Sequence, residues 1–319
     1  MRELKNKLTS MRELMLLVIV IVVFVVMSFA SPYFCTGSNL MSVLLTLSLE
    51  AILVVGMVNL MISGGFDMSV GSTIGLAGGV CAFLIKNAGM PIWLSIIAAI
   101  CAGGLVGLFN GSAVAKLGIP PFVATLSSKY MANGLLLVLM DGRSISGLPK
   151  EFTWIGQLRV GVVQIPVLYM IVIVILGEIL LRKSRFFRQN YYIGGNFKAA
   201  KLSGIHNERM QIFNYVLMGL MSGLAGVIMC ARLGSASTTS GLNYEMKVIT
   251  ACIIGGTSMS GGEGSVLGGF LGCILMAIIT NAMTLLNVSV YWQTFVTGFT
   301  LFLAVVIDCM NKRRQASKK

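Results

Sequence analysis

The chain has 319 residues, of which 56% are hydrophobic and only 11% are charged, whereas soluble domains carry about 25% charged residues. So few charges cannot cover a water-facing surface, and the composition excludes a soluble globular protein. The net charge of +13 would suit a nucleic-acid binder, but most of the basic residues cluster at both chain ends and in one internal loop. This is the positive-inside pattern of membrane proteins, so we expect the lipid bilayer and no nucleic acid as a partner.

The three basic clusters set the predicted topology, because basic segments remain on the cytoplasmic side. An even number of spans between basic ends places both termini in the cytoplasm. The clusters comprise Arg2, Lys5, Lys7 and Arg12; Arg182, Lys183, Arg185, Arg188, Lys198, Lys201 and Arg209; and Lys312, Arg313, Arg314, Lys318 and Lys319.

Nearly the whole chain divides into apolar stretches of the length that a transmembrane helix needs, about 20 residues. We predict an all-α membrane protein with about ten transmembrane helices, forming a single transmembrane domain over residues 1–319. The basic loop, about 182–209, is then cytoplasmic, and loop 141–161 lies outside. The predicted spans are 14–30, 40–62, 69–85, 91–115, 121–140, 162–181, 210–231, 245–254, 265–286 and 291–310.

The first apolar run also has features of a signal peptide. Ser28 and Ala30 occupy the small-residue positions that precede a cleavage point. We favour an uncleaved first helix, because its loss would leave an odd number of spans between two basic ends.

Two polar, glycine-rich interruptions resemble each other, at residues 63–72 and 254–265. Paired interruptions of this kind indicate an internal repeat with broken helices, with the transport path near the repeat interface. A chance match of short Gly and Ser strings is the alternative. Since the eighth predicted span is too short to cross alone, we expect the glycine-rich stretch after it to continue at membrane depth, lining a cavity or covered by protein.

Three ionisable residues lie in or beside the apolar spans, where a charge is costly unless it is paired or hydrated. Asp67 or Ser69 can accept hydrogen bonds from the free N–H groups that begin the third span, and a gate or coupling role for Asp67 is the alternative. Glu50 and Lys129 lie in span interiors, where a functional role is the default hypothesis. Lys129 can instead extend to the membrane interface.

Asn110, Asn133 and Asn281 place neutral amides within apolar spans. Amides suit recognition of a hydroxylated solute, but hydrogen bonds between helices explain them equally well. With Glu50 and Asp67, they are the candidate residues of a translocation path or gate.

The basic loop contains the signals of a short helix. Asn196 is a good N-cap, the next residues can form two turns, and Gly204 suits the position that ends a helix. Phe197, Ala200 and Ile205 would then offer small apolar knobs for docking into a groove of another protein. A helix lying on the membrane surface is the alternative.

The chain lacks the residues for chemistry of its own. No G-x-x-x-x-G-K-[ST] motif occurs in the sequence, so any ATP must be bound by a partner. The one histidine, His206, has no metal-ligand cluster or nucleophile beside it, and the seven cysteines show no C-x-x-C spacing. An intramembrane enzyme is therefore disfavoured, whereas an ion-coupled secondary transporter using Glu50 and Asp67 remains an alternative.

Several long motifs in order resemble the permease subunits of ribose-, xylose- and galactose-type ATP-binding cassette importers, which are related to the autoinducer-2 permeases. The resemblance covers most of the chain. It is carried by SGGFDMSVGS at 63–72, GRSISGLP at 142–149, YYIGGNFKAAKLSGI at 191–205, IIGGTSMSGGEGSVLGG at 253–269 and YWQTFVTGFTLFLAVVID at 291–308.

The resemblance implies import of a sugar or sugar-like solute across the bacterial cytoplasmic (inner) membrane. It also implies a second permease copy or a sister permease, two ABC ATPase domains and an extracytoplasmic solute-binding protein. No cofactor is then bound by this chain, because ATP and magnesium belong to the partner ATPase. The short helix resembles the coupling helix that docks on the ATPase, and its candidate residues are Gly195, Asn196, Phe197, Ala199, Ala200, Gly204 and Ile205.

The sequence departs from the family pattern at three places. Lys247 stands where an acidic residue is usual, Asn133 stands near a frequent arginine, and the first interruption carries Phe66 and Met68. Because these residues lie in or beside the spans, they bear on which solute is carried rather than on transport itself.

Overall fold

The computed structural model describes residues 2–316, with side chains described at positions 13–310. The side chains of the two terminal basic clusters therefore lie outside the described residues. Within the described chain there are thirteen helices: α1 Arg2–Ala30, α2 Gly37–Ile62, α3 Val70–Lys86, α4 Ile92–Ala115, α5 Pro121–Leu139, α6 Lys150–Gln157, α7 Ile165–Lys183, α8 Arg185–Gly195, α9 Phe197–Leu202, α10 Asn207–Leu233, α11 Tyr244–Ile254, α12 Val266–Leu285 and α13 Val290–Ala316.

Strands are limited to four two-residue pieces in the described residues. They form two antiparallel ladders, in which β1 pairs with β4 and β2 with β3. Both ladders lie in the connections between long helices, so they fasten loops together rather than build a sheet. The strands are β1 Ile145–Ser146, β2 Arg159–Val160, β3 Val163–Gln164 and β4 Ser235–Ala236.

Eight of the described helices are long and apolar enough to cross a membrane, namely α1, α2, α4, α5, α7, α10, α12 and α13. The third and eighth predicted spans correspond to α3 and α11, which have 17 and 11 residues. The prediction of an all-α membrane protein is thus confirmed, with eight described helices of spanning length. The chain is a multi-pass membrane protein, while the cytoplasmic placement of its termini stays a prediction.

The core is built around α2, whose residues from Leu47 to Ile62 are all buried. Helices α7, α10, α11 and α12 pack against it. Helices α4 and α10 approach each other closely because glycines face glycines: a Cβ atom on Gly223 would lie 2.9 Å from the Ile100 Cα atom, and Gly103 meets the backbone of Gly219. Small residues at such seams let helix backbones touch, as is usual in membrane bundles.

The two glycine-rich interruptions have the same helix ending. After α2, Gly64 has a φ of +89° and the Gly65 amide donates to the Leu60 carbonyl at 3.0 Å. After α11, Gly256 has a φ of +86° and the Thr257 amide donates to the Cys252 carbonyl at 2.9 Å. Both are Schellman motifs, in which a residue with positive φ caps the last carbonyls of the helix.

The interruptions also lie against each other. The Gly262 amide donates to the Ile62 carbonyl at 2.8 Å, which joins the second interruption to the end of α2. A Cβ atom on Gly261 would lie 3.1 Å from the Gly64 amide nitrogen. The two breaks in the apolar pattern therefore form one continuous patch of irregular backbone.

A third irregular segment, residues 237–243, precedes α11 and is not evident from the sequence. It starts beside the β1–β4 ladder, where the Lys86 ammonium donates to the Ser146 carbonyl. It then follows α3 to the opposite end, where Gly241 packs on Gly71. Since Gly71 is about 22 Å from Lys86 along the α3 axis, the irregular segment runs beside most of the length of α3 before α11 begins.

Candidate functional site

The basic loop forms an arm of two short helices, α8 and α9. The Asn196 side chain caps α9, its Oδ1 atom accepting a hydrogen bond from the Ala199 amide at 3.0 Å. Gly204 follows with a φ of +83°, the left-handed conformation that ends a helix. The predicted helix, its N-cap and its terminating glycine are all present.

The orientation of α9 differs from the one we expected. Ala200 is only 4% exposed, packing with Ile193 and Met210 in a small hydrophobic cluster, so it is not an outward-facing knob. Ile205 is partly buried against the same cluster. The outward apolar residues of α9 are Leu202, which is 90% exposed, and Phe197, which is 45% exposed.

Among the other predicted contact residues, Gly195, Asn196, Phe197, Ala199 and Gly204 are exposed. Lys198 and Lys201 are exposed beside them. The outer surface of α9 is therefore basic with apolar members, and its role in docking stays a prediction.

The arm is joined at its base to both interruptions. Gly194 of α8 fits between them so closely that a Cβ atom there would lie 2.5 Å from the Gly262 amide nitrogen and closer still to the Ile62 carbonyl. Tyr191 donates its hydroxyl to the Gly264 carbonyl at 2.8 Å, and burial raises the pKa of this hydroxyl. No side chain larger than that of glycine fits at position 194 without displacing backbone.

Three buried asparagines tie the same region together. Asn190 of α8 donates to Asn59 of α2 and to Asn214 of α10, both at 3.3 Å. Asn214 donates back to Asn190 at 2.8 Å and to Ser63 at 3.1 Å. Each amide thus has partners although none touches water, and the network joins the arm to two long helices.

Asp67 lies in the first interruption and binds Ser69, the residue directly before α3. Its Oδ1 atom accepts hydrogen bonds from the Ser69 amide at 2.7 Å and the Ser69 hydroxyl at 2.6 Å. The Asn110 amide donates to the Ser69 hydroxyl at 3.0 Å and to the Asp67 carboxylate at 3.3 Å. The structure therefore brings two of the candidate path residues, Asp67 and Asn110, together in a hydrogen-bonded cluster before α3, and a gate or coupling role for Asp67 stays a prediction.

The start of α12 is held from two sides. Ser265 caps it by accepting a hydrogen bond from the Gly268 amide at 3.0 Å, and the Glu178 carboxylate of α7 accepts from the Leu267 amide at 2.9 Å. The Ser265 hydroxyl donates to Glu13 of α1 at 2.5 Å. An anionic side chain at a helix N-terminus is stabilising, so this end of the second interruption is fixed to α1 and α7.

The short helix α11 is held by an ion pair on each side. Glu50 of α2 faces Lys247, with 3.6 Å between Oε1 and Nζ. Lys129 of α5 contacts Glu245, with 2.6 Å between Nζ and Oε1. Both ionisable residues predicted in span interiors are therefore paired, and both partners lie on α11.

Asn133 and Asn281 have different surroundings. Asn281 exchanges two amide hydrogen bonds with Asn39, at 2.7 and 3.0 Å, joining α12 to α2. Asn133 lies instead in an open polar recess with Lys129 and Glu245. The five candidate path residues thus lie in four places. Asp67 and Asn110 share one cluster, Glu50 is in its ion pair with Lys247, Asn133 is in the recess, and Asn281 is at the α2–α12 contact.

Sequence reasoning missed several residues of these networks, although part of the signal was present. Asn59 and Asn214 are amides inside apolar spans, the same criterion that selected Asn110. Glu245 and Asn190 stand at the edge of a span and in the basic loop, so nothing local marked them. Within the described residues no group of three His, Cys, Asp or Glu side chains could hold a metal ion.

Comparison with known proteins places these features in a family. The model of a family described as branched-chain amino acid transport system / permease component matches residues 39–305. A ribose import permease protein of Escherichia coli strain K12 is 35% identical over 302 residues, covering 93% of this chain and 93% of the relative. A xylose transport system permease protein of Haemophilus influenzae is 33% identical over 367 residues, covering 95% of this chain and 98% of the relative. The chain belongs to this family of transport-system permease components, which it shares with ribose and xylose permeases.

Proposed function

We propose that this chain is the membrane-spanning subunit of an ATP-binding cassette importer that carries a sugar or sugar-like solute into the cytoplasm of a bacterium. Its full-length similarity to ribose and xylose permeases supports the solute class. The sequence contains no phosphate-binding loop, which agrees with ATP hydrolysis on a partner. The chain acts as one transmembrane domain of the cytoplasmic membrane and is not itself an enzyme.

The partners we propose are two ATPase domains, an extracytoplasmic solute-binding protein, and a second permease that is either another copy or a sister chain. ATP and its magnesium ion are held by the ATPase. The basic, exposed surface of α9 is the docking contact for that subunit, because an exposed capped helix with a protruding leucine fits an apolar groove with an acidic rim.

The observation that carries this function is the connection between the arm and the interruptions. A helix that only lay on the lipid surface would need no contact with the transport path. Here α8 touches both interruptions through Gly194 and Tyr191, and a buried asparagine network continues from Asn190 into α2 and α10. Displacement of the arm by a closing ATPase therefore reaches the places where the spans are broken.

Leu202→Asp tests the docking contact. Leu202 is 90% exposed, so a carboxylate there leaves the fold intact but places a like charge against an acidic rim and removes the apolar contact. The control is Val162→Asp, because Val162 is 85% exposed in the β2–β3 turn, away from the arm. The assay is ATP-dependent uptake of radiolabelled D-ribose and D-xylose by vesicles that contain the full importer, together with copurification of the ATPase.

We expect Leu202→Asp to lose both uptake and the ATPase, while Val162→Asp keeps both. Full uptake by Leu202→Asp would refute docking through α9. Uptake by the unaltered chain that follows an ion gradient and persists without ATPase subunits would refute the importer and favour a secondary transporter.

A further inference from the structure

The polar recess lies between the apolar spanning helix α5, the start of α3 and the irregular segment 237–243. Its floor is set by Gly71 and Gly75 of α3, whose missing side chains let the segment approach the helix backbone. Irregular backbone inside a bilayer is tolerated where it is covered by protein or lines a water-filled cavity. The recess is open in the single chain, so the segment faces either water or a second subunit.

About half of the lining of the recess is polar. Hydroxyl groups come from Ser72, Thr238, Thr239 and Ser240, an amide from Asn133 and an ion pair from Lys129 and Glu245. Asn133 makes no hydrogen bond to any residue that the structure describes and is only partly buried. A group of this polarity directed at lipid would be unfavourable, which is the reason such residues usually mark a solute pathway.

Glu245 supplies the sharpest indication of a ligand. The residue is only 1% exposed, and one carboxylate oxygen receives the Lys129 ammonium at 2.6 Å. The other oxygen, Oε2, is buried and has no hydrogen-bond partner among the described residues. Since buried carboxylate oxygens in folded proteins are almost always satisfied, this oxygen needs a donor that the described residues do not supply.

The chemistry of that donor follows from the charges. Lys129 and Glu245 neutralise each other, so the recess has no net charge to attract a bare cation or an anion. Three groups in the recess can bind a solute by hydrogen bonds. One carboxylate oxygen of Glu245 accepts, the ammonium group of the Lys129 side chain, which is 24% exposed, donates, and the Asn133 amide does both. A neutral molecule with several adjacent hydroxyl groups matches this set.

We propose that the recess is a solute-binding site of the transport path, in which Glu245 and Asn133 bind hydroxyl groups of a neutral polyhydroxylated solute. Lys129 holds the Glu245 carboxylate in place and donates to the solute. The site rests on the proposed function and deepens it, because it assigns transport to residues on α5 and α11. The wall that is open in one chain is closed by the second permease.

Asn133→Leu is the first test, because it removes the amide without creating an unpaired charge. The matched control is Ser127→Leu, the same apolar residue placed at an exposed position of α5 outside the recess. Uptake of labelled D-ribose and D-xylose is measured in vesicles containing the whole importer, with ATP hydrolysis measured in parallel. We expect maximal uptake to fall about tenfold for Asn133→Leu, the effect of one lost polar contact in the rate-limiting state, while Ser127→Leu transports like the unaltered chain.

A charge exchange, Lys129→Glu with Glu245→Lys, separates binding from structure. If the Lys129–Glu245 ion pair only holds α5 to α11, the chain with exchanged charges should still transport. If the pair is part of a solute site, the exchange removes the carboxylate acceptor from its position on α11. We expect uptake to be lost while the exchanged chain still assembles with its ATPase. Normal uptake by the exchanged chain or by Asn133→Leu would overturn the site.

Water access gives a readout that does not depend on the identity of the solute. Asn133→Cys is placed in a background where the three exposed native cysteines, Cys35, Cys101 and Cys309, are replaced by serine. A membrane-impermeant charged thiol reagent is expected to label this position and to block uptake. Absence of labelling would overturn the recess as part of an aqueous path, and failure of the unaltered importer to take up either sugar with ATP would instead refute the proposed function.

Discussion

Replacing Asn190 by leucine tests whether the buried asparagine network holds the arm to the membrane bundle. Asn190 makes three hydrogen bonds inside the protein, two as donor and one as acceptor. Leucine has a similar size, so the substitution removes these bonds without leaving a large cavity. The side-chain oxygens of Asn59 and Asn214 then lose the only donors that the described residues provide.

The expected loss of stability can be bounded from both sides. Each buried polar atom left without a partner costs about 1–3 kcal/mol in soluble proteins, which gives about 2–6 kcal/mol for two orphaned oxygens. Hydrogen bonds between membrane helices average about 0.6 kcal/mol, which gives about 2 kcal/mol for three. We therefore expect Asn190→Leu to lower the free energy of unfolding by about 2 kcal/mol or more.

The assay is equilibrium unfolding in mixed detergent micelles with increasing dodecyl sulfate, followed by circular dichroism. Asn133→Leu is the matched control, because the same replacement at a residue without an internal hydrogen bond should change stability by less than about 0.5 kcal/mol. Since Asn190 and Asn214 share two bonds, the double leucine variant should be less destabilised than the sum of the single variants, by about 1 kcal/mol. Equal effects at positions 190 and 133, or strictly additive effects at 190 and 214, would refute the network.

Two further predictions concern the arm itself. Gly194→Ala should abolish uptake and destabilise the bundle, because its Cβ atom would overlap the Ile62 carbonyl. Gly195→Ala should be tolerated, because a Cβ atom there meets nothing within 4 Å. A thermal-shift assay in detergent measures stability and the uptake assay measures transport, and equal behaviour of the two variants would contradict the close contact at Gly194. Asn196→Ala removes the N-cap of α9 and should cost about 1 kcal/mol of local stability. Faster amide hydrogen exchange confined to the arm would show this loss, and unchanged exchange would mean that the cap is dispensable.

The arm was the part of the site that could be predicted best, because capping is local chemistry. Asn196 and Gly204 stand at the spacing of a short helix, and the backbone between them needs no distant partner to form it. The span pattern was predictable for a similar reason, since apolar length alone determines which stretches can cross a bilayer. The predicted outward orientation of Ala200 was wrong. Its burial depends on Ile193 and Met210, which only the packed structure brings to that side of α9.

The recess could not be predicted, because its parts are distant in sequence and ordinary by themselves. The polar string that precedes α11 has the composition of a surface loop, and nothing in it indicates that it runs along α3. Lys129 and Glu245 are 116 positions apart, so their pairing depends on how three helices pack. A span that contains one charged residue can be recognised from sequence, but the identity of its partner cannot.

Helix α11 connects the two proposals in space. Its first turn carries Glu245, which lines the recess, and its last residue leads into the interruption that Gly194 contacts. The helix has 11 residues, so about 16 Å of regular backbone separates the solute site from the base of the arm. Lys247 and Glu245 hold it from opposite sides, to α2 and α5 respectively. A shift of the arm that moves the second interruption therefore either moves the Glu245 carboxylate as well or breaks one of these ion pairs. Either change alters the proposed solute site.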